Sequence, residues 1–220
     1  MARKNSQLIA RRHVLGGLVA VGAVLNLPLG AGIAMGAHKG TPRQSLGPFY
    51  PTNWSGDVDG DLVRVQGEAA RALGTVLHLS GQLRDAFGAP ISGATIEIWQ
   101  CDAQGVYRHP LDERGTRQHD GGFQGRGRAF SDQSGQYQFR TIRPVAYPGR
   151  TPHIHFRITT PDRKSLITQM YIHGEKLNTR DGLLNSIRNP HQRESLIVRL
   201  DATDRIEQGA LSGRFDIVIA

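Results

Sequence analysis

The 220 residues predict an all-β protein: a β-sandwich or barrel of antiparallel strands, with long loops and at most one or two short helices. Three observations carry that expectation. Short stretches alternate apolar and polar residues, the period of a half-buried strand. Turn-forming residues recur between them, with 27 Gly and 11 Pro in the chain. Only one short segment, 181–187, reads as a helix.

In chain order, residues 1–37 read as an export signal. Arg11-Arg12 precede an apolar, Gly- and Ala-rich run from Val14 to Met35, with small residues near Ala34 and Ala37. The paired arginines point to the twin-arginine route and a periplasmic or extracellular destination. An uncleaved membrane anchor is the competing reading; Pro28 and the glycines of the run suit it poorly. Residues 38–74 are a polar linker and N-terminal arm, in which Gly47-Pro48-Phe49-Tyr50-Pro51 is stiff and non-helical. That segment either packs over the end of the domain or forms the rim of a pocket. The domain proper is 75–220.

Leu77, Leu79 and Leu83 alternate with polar residues in a first strand, and 85–93 is a turn. Ala94, Ile96 and Ile98 alternate with Thr95, Glu97 and Trp99 in a second. Residues 111–127 read as a long exposed loop. Phe130, the Asp132-Gln133-Ser134-Gly135 turn, and Tyr137, Phe139 and Thr141 read as a hairpin. Residues 165–172 form a further strand, and 196–200 and 215–219 are closing strands. No internal repeat and no second domain is visible.

Composition bounds the chemistry. The single Cys101 excludes an internal disulfide and a thiolate cluster, so a metal here has N and O ligands. The net charge is +8, of which the leader holds four cations and no acid. No basic run is interleaved with aromatics, so nucleic acid is not an expected partner. A membrane contact is expected only through the export signal.

One stretch concentrates reactive groups: Tyr147-Pro148-Gly149-Arg150-Thr151-Pro152-His153-Ile154-His155-Phe156. In a strand, His153 and His155 leave one face together while Ile154 and Phe156 enter the core. Two imidazoles on one face can ligate a metal. A surface pair is the blander reading. At this level a non-catalytic β-sandwich that binds carbohydrate or protein stays open. A zinc hydrolase lacks a nearby Glu base.

With Gly105-Val106-Tyr107-Arg108-His109, Tyr147-Pro148, Arg150-Thr151-Pro152-His153-Ile154-His155-Phe156 and Leu166-Ile167-Thr168-Gln169-Met170-Tyr171 in this order, the chain resembles the intradiol ring-cleavage dioxygenases, the protocatechuate 3,4-dioxygenase type in particular. The resemblance runs from Gly47 to Val218. It implies a non-haem Fe(III) held by Tyr107, Tyr147, His153 and His155, a small-molecule catechol and O2 as substrates, and a cis,cis-muconate as product. It implies that Tyr147 is the ligand that leaves when the catechol binds. Arg150 takes the family's active-site arginine position, where it stabilises charge on the substrate, and Gln169 matches a pocket glutamine. His109, two positions after Tyr107, is either an ordinary packing residue or one that orients the Tyr107 loop. The chain departs from the family in having only five residues between Tyr147 and His153, where a longer insert walls the substrate pocket; a more open site is implied. Assembly into a homo-oligomer is left open.

Overall fold

The structure, a computed structural model, describes residues 38–113 and 116–220. The export-signal reading of 1–37 lies outside them. Two five-stranded sheets face each other. The first is built on β1 (Val76–Asp85), with β4 (Gln136–Ile142) antiparallel on one edge. On the other edge β9 (Leu211–Arg214) and β10 (Ile217–Ile219) run parallel to β1, and β8 (Leu200–Ala202) pairs with β9. The second has the order β3-β2-β5-β6-β7, from β3 (Arg126–Phe130), β2 (Thr95–Trp99), β5 (His153–Thr159), β6 (Ser165–Ile172) and β7 (Ile197–Val198). The fold is the expected all-β sandwich, although β1–β9, β1–β10 and β6–β7 pair in parallel. Among the described residues, helix is confined to a 3-10 turn, Lys176–Thr179, and two short α-helices, α1 (Gly182–Asn185) and α2 (Pro190–Glu194). None of them is long and apolar enough to cross a membrane.

Alternation decides what lies between the sheets. Leu77, Leu79 and Leu83 of β1 meet Ile96 and Ile98 of β2 and Ile154, Phe156 and Ile158 of β5, all buried. Each such side chain contributes roughly 1.5–3 kcal/mol by leaving water. The opposite face of the second sheet carries Trp99, His153, His155 and Gln169, with His155 between Trp99 and Gln169 in register. A half-buried strand would expose that face. Here the N-terminal arm and the loops after β2 and β4 cover it, so Trp99 is buried as well.

Three readings need correction. Residues 130–141 do not form a hairpin: β3 pairs with β2 and β4 with β1, so the 132–135 turn is a corner between sheets. Asp132 fixes that corner by accepting from the Ser134 and Gln136 N–H groups. The 111–127 segment is not wholly an exposed loop, because Phe123 and Gln124 are buried and β3 starts at Arg126. The 196–200 strand divides at Arg199, with β7 in the second sheet and β8 in the first. Alternation reports which side chains point inward; it carries no information about which neighbour supplies the hydrogen bonds.

Candidate metal centre

His153 and His155 leave β5 on the covered face, and Ile154 and Phe156 anchor the strand from behind. His153 Nδ1 lies 2.6 Å from the Thr151 carbonyl, which can only accept, so Nδ1 carries the proton and Nε2 is a lone pair. That Nε2 is 3.2 Å from Nε2 of His155. The His155 ring stacks on Trp99, with centroids 4.8 Å apart and planes 8° apart. Gly47 meets the ring at its Cε1 edge, where an added Cβ would lie 3.1 Å from His155 Cε1. Burial, with the Arg150 charge nearby, pulls the His153 pKa down to about 4. Burial, with His153 and Arg150 beside it, also holds that of His155 well below the usual imidazole value. Both imidazoles are therefore neutral and have lone pairs to give at ordinary pH.

Two phenols close on this pair. Tyr107 Oη is 3.5 Å from His153 Nε2. Its ring meets that of Tyr147 edge-on, with centroids 5.5 Å apart. The Tyr107 loop is fixed through carboxylates: Asp112 accepts from the Tyr107 N–H, and the buried Asp102 accepts from the N–H groups of Gln104, Val106 and Asp120. His109 Nδ1 accepts from Leu111 N–H, and the ring packs edge-on against Phe49. Phe49, from the arm, stacks on Tyr107 at 4.7 Å. Burial raises the pKa of Tyr107 far above the usual phenol value, and the neighbouring Tyr147 adds to it. Burial also raises Tyr147, against the opposing effect of Arg150. Without a cation, both phenols hold their protons.

Arg150 stands over this cluster. Its Nη1 lies 3.3 Å from His153 Nε2 and 3.4 Å from Tyr147 Oη. Its Nη2 donates to Gln169 Oε1 at 2.6 Å, and its Nε to Asp181 Oδ2 at 2.8 Å. Gln169 is buried behind the arginine. Its Nε2 donates to the Ser45 carbonyl at 3.1 Å. The sequence reading missed Asp181 as a site residue; the visible signal was only that of a helix cap ahead of Gly182-Leu183-Leu184. It placed Gly47 only in a segment packed over the domain end or at a pocket rim, and gave Trp99 no role in the site.

The donor set suits a ferric ion. Two imidazole nitrogens and two phenol oxygens converge, with the two Nε2 atoms 3.2 Å apart. Phenolates are hard anionic donors, which a strongly Lewis-acidic cation can create by displacing the protons. A cavity of about 210 Å³ opens beside Tyr147 and Arg150, and Leu177, Arg180 and Asp181 form its far wall. The short 148–152 link leaves that side to the 176–181 segment. A larger cavity, about 490 Å³, lies on the outer face of the first sheet by His78, Phe139 and Arg140. None of the expected site residues lines it, and its carboxylate Asp61 is already paired with Arg140.

The sequence profile of the dioxygenase family matches residues 46–220. The chain is 33% identical to the protocatechuate 3,4-dioxygenase beta chain of Burkholderia cepacia over 186 residues, covering 80% of this chain and 78% of that one. The chain belongs to the intradiol ring-cleavage dioxygenases. It is also 29% identical to hydroxyquinol 1,2-dioxygenase of Corynebacterium glutamicum, of whose length it spans 64%, and 32% identical to catechol 1,2-dioxygenase of Candida albicans, of which it spans 46%. Among solved structures it resembles the dioxygenase domain of a dioxygenase–carbohydrate-binding protein fusion from Streptomyces sp. SirexAA-E. That match has 29% identity and a TM-score of 0.61, covering 82% of this chain and 98% of that one. An intradiol dioxygenase from Tetranychus urticae shares the fold at 23% identity and a TM-score of 0.64, covering 82% of this chain and 94% of that one. Membership of a family of ring-cleaving oxidoreductases removes the ground for a non-catalytic binding sandwich.

Proposed function

We propose that the chain cleaves a catechol between its two oxygenated carbons with O2, giving a cis,cis-muconate, with a ferric ion held by Tyr107, Tyr147, His153 and His155. The observation that carries this reading is the convergence of two lone-pair imidazoles and two phenols under the guanidinium of Arg150. When bound, ferric iron supplies the Lewis acidity that opens a chelated catechol to dioxygen.

The chain's own residues divide the remaining work. Tyr107 is sealed and holds its place, whereas Tyr147 is half-buried and lines the cavity. That asymmetry makes Tyr147 the phenol that gives way to substrate, and Tyr147 Oη the acceptor for a catechol proton. Arg150 Nη1 faces the same space and stabilises the negative charge that grows on the substrate. Gln169 holds Arg150 in place through Nη2. Leu177 offers an apolar wall to the ring, and water is kept from the other side by Phe49 and Trp99.

In this reading 75–220 is the catalytic unit, 38–74 is the arm that closes it, and 1–37 exports it by the twin-arginine route to the periplasm or beyond. The export expectation rests on Arg11-Arg12 and is tested by replacing both with Lys, which should leave the protein inside the cell. The activity is tested by oxygen uptake of the iron-loaded protein on catechol, protocatechuate, hydroxyquinol and larger lignin-like catechols, with the products identified. Absence of muconate-type products across that panel refutes the activity.

A further inference from the structure

Arg150 is held on one edge and free on another. Its Nε and Nη2 donate at 2.8 and 2.6 Å to Asp181 and Gln169, while Nη1 makes only long contacts of 3.3 and 3.4 Å with His153 and Tyr147. A guanidinium is a rigid planar fork, so fixing two of its nitrogens fixes the direction of the third. Asp181 is the ionic partner in that grip. Its side chain is 0% exposed, and its four hydrogen bonds leave little freedom. Oδ2 accepts from Arg150 Nε and from Thr151 N–H at 3.1 Å. Oδ1 accepts from Leu183 and Leu184 N–H at 3.1 and 3.0 Å, capping α1. Thr151 Oγ1 adds a parallel tie by donating to Asn178 Oδ1 at 2.8 Å. Burial opposes the charge on Asp181, but the Leu184, Arg150 and Thr151 hydrogen bonds outweigh it and hold the carboxyl below its usual range.

We infer that Asp181 is a positioning residue for ring cleavage: it aims Arg150 Nη1 at the substrate from a segment, 176–185, that lies outside the sheet carrying the imidazoles. The inference rests on the proposed function for its catalytic consequence, and on Arg150 alone for its physical content. It predicts an effect that passes entirely through the arginine.

Asp181→Asn keeps an oxygen for the α1 cap and turns an NH2 toward Arg150 Nε–H and Thr151 N–H, so donors face donors. Turnover per bound iron should fall about 10–100-fold, as for other outer partners of a reactive site, with KM changed far less. Iron content and colour should stay near parental. In an Arg150→Ser background, Asp181→Asn should add nothing, because the group it aims is gone. Asp181→Ser, which caps helices well but cannot reach Arg150, serves as the second variant if Asn impairs folding. The readout independent of catalysis is the Arg150 Nε–H resonance of the iron-free protein. It should shift and exchange faster with solvent in either variant. An equal loss of turnover with and without Arg150 would make Asp181 merely structural, and an unmoved Nε–H resonance would overturn the aiming itself. That resonance decides the matter even if no catechol is cleaved, so failure of the proposed function stays separable.

Discussion

Gly47→Ala is the sharpest probe of how the arm shapes the site. Gly47 has φ +76°, a conformation that costs a residue with a Cβ about 1–2 kcal/mol. Gly67, at φ +88°, has the same backbone demand, but a Cβ there meets nothing within 4 Å. Gly67→Ala is therefore the strain-only control. In a chain of this size about 1 kcal/mol lowers Tm by roughly 2–4 °C. At Gly47 the new Cβ also lies 3.1 Å from His155 Cε1 and 3.7 Å from Nε2. Carbon pairs settle at about 3.5–4.0 Å, so the ring must withdraw by roughly half an ångström. Trp99, whose ring stacks on that of His155 with centroids 4.8 Å apart, limits the withdrawal to movement along their shared plane. The expected result is a similar or somewhat larger loss of Tm for Gly47→Ala, together with about a tenfold loss of ferric affinity, or 1.4 kcal/mol. Gly67→Ala should keep parental affinity. Thermal unfolding of the iron-free proteins and chelator competition for iron supply the two numbers. Equal ferric affinities for the two variants would refute the claim that the arm sets the position of His155.

Three further outcomes are expected. Arg150→Ser should retain iron and colour yet lose about 10²–10³ in turnover per iron, while Arg150→Lys recovers only part of it; parental turnover with iron intact would remove Arg150 from the catalytic role. Because both phenols hold their protons until a cation arrives, ferric binding near neutral pH should release about two protons per ion, and about one in Tyr107→Phe. A pH-stat measures this, and no difference between the two proteins would exclude Tyr107 as a phenolate ligand. Hydrogen bonds and charge from Arg140, joined by His78, lower the Glu207 pKa from 4.5 to about 2. A depressed carboxylate stabilises the fold fully above its unfolded pKa and loses that effect as pH falls through the folded one. Tm should therefore drop between about pH 4.5 and 2 more steeply in the parent than in Glu207→Gln, and identical slopes would count against the coupling.

What the sequence revealed follows from what periodicity encodes. The strands 76–85, 95–99 and 165–172 and the buried side of 153–159 were legible, because an alternating face must be covered. Partner choice was not: the corner at 132–135 looks locally like a hairpin, and only the core decides that its two strands part. The imidazoles and phenols could be found through their spacing and motifs, and the structure brings them together. Asp181 was illegible, since a charge that is buried by a partner 31 residues away leaves no local pattern beyond its cap. The burial of Trp99 was likewise hidden, because the arm that covers it comes from a distant part of the chain.

The arm also sets an order of assembly. Its start is held by the chain's end: Thr41 N–H donates to the Val218 carbonyl, and the Val218 N–H donates to Thr41 Oγ1. Further on, Gln44 N–H donates to the Ile167 carbonyl before Gly47 reaches His155. β10, which carries Val218, is itself placed by parallel pairing with β1. Some of the earliest described residues thus dock on a surface that exists only when the last strand is in place. Contacts of such long sequence separation form late, because the loop they close must be ordered first. Without β10 the Thr41 N–H and Oγ1 have no partner at Val218, so the arm that brings Gly47 to His155 loses an anchor. On the proposed reading, ferric binding after refolding should follow the docking of the arm, and its rate should report that docking.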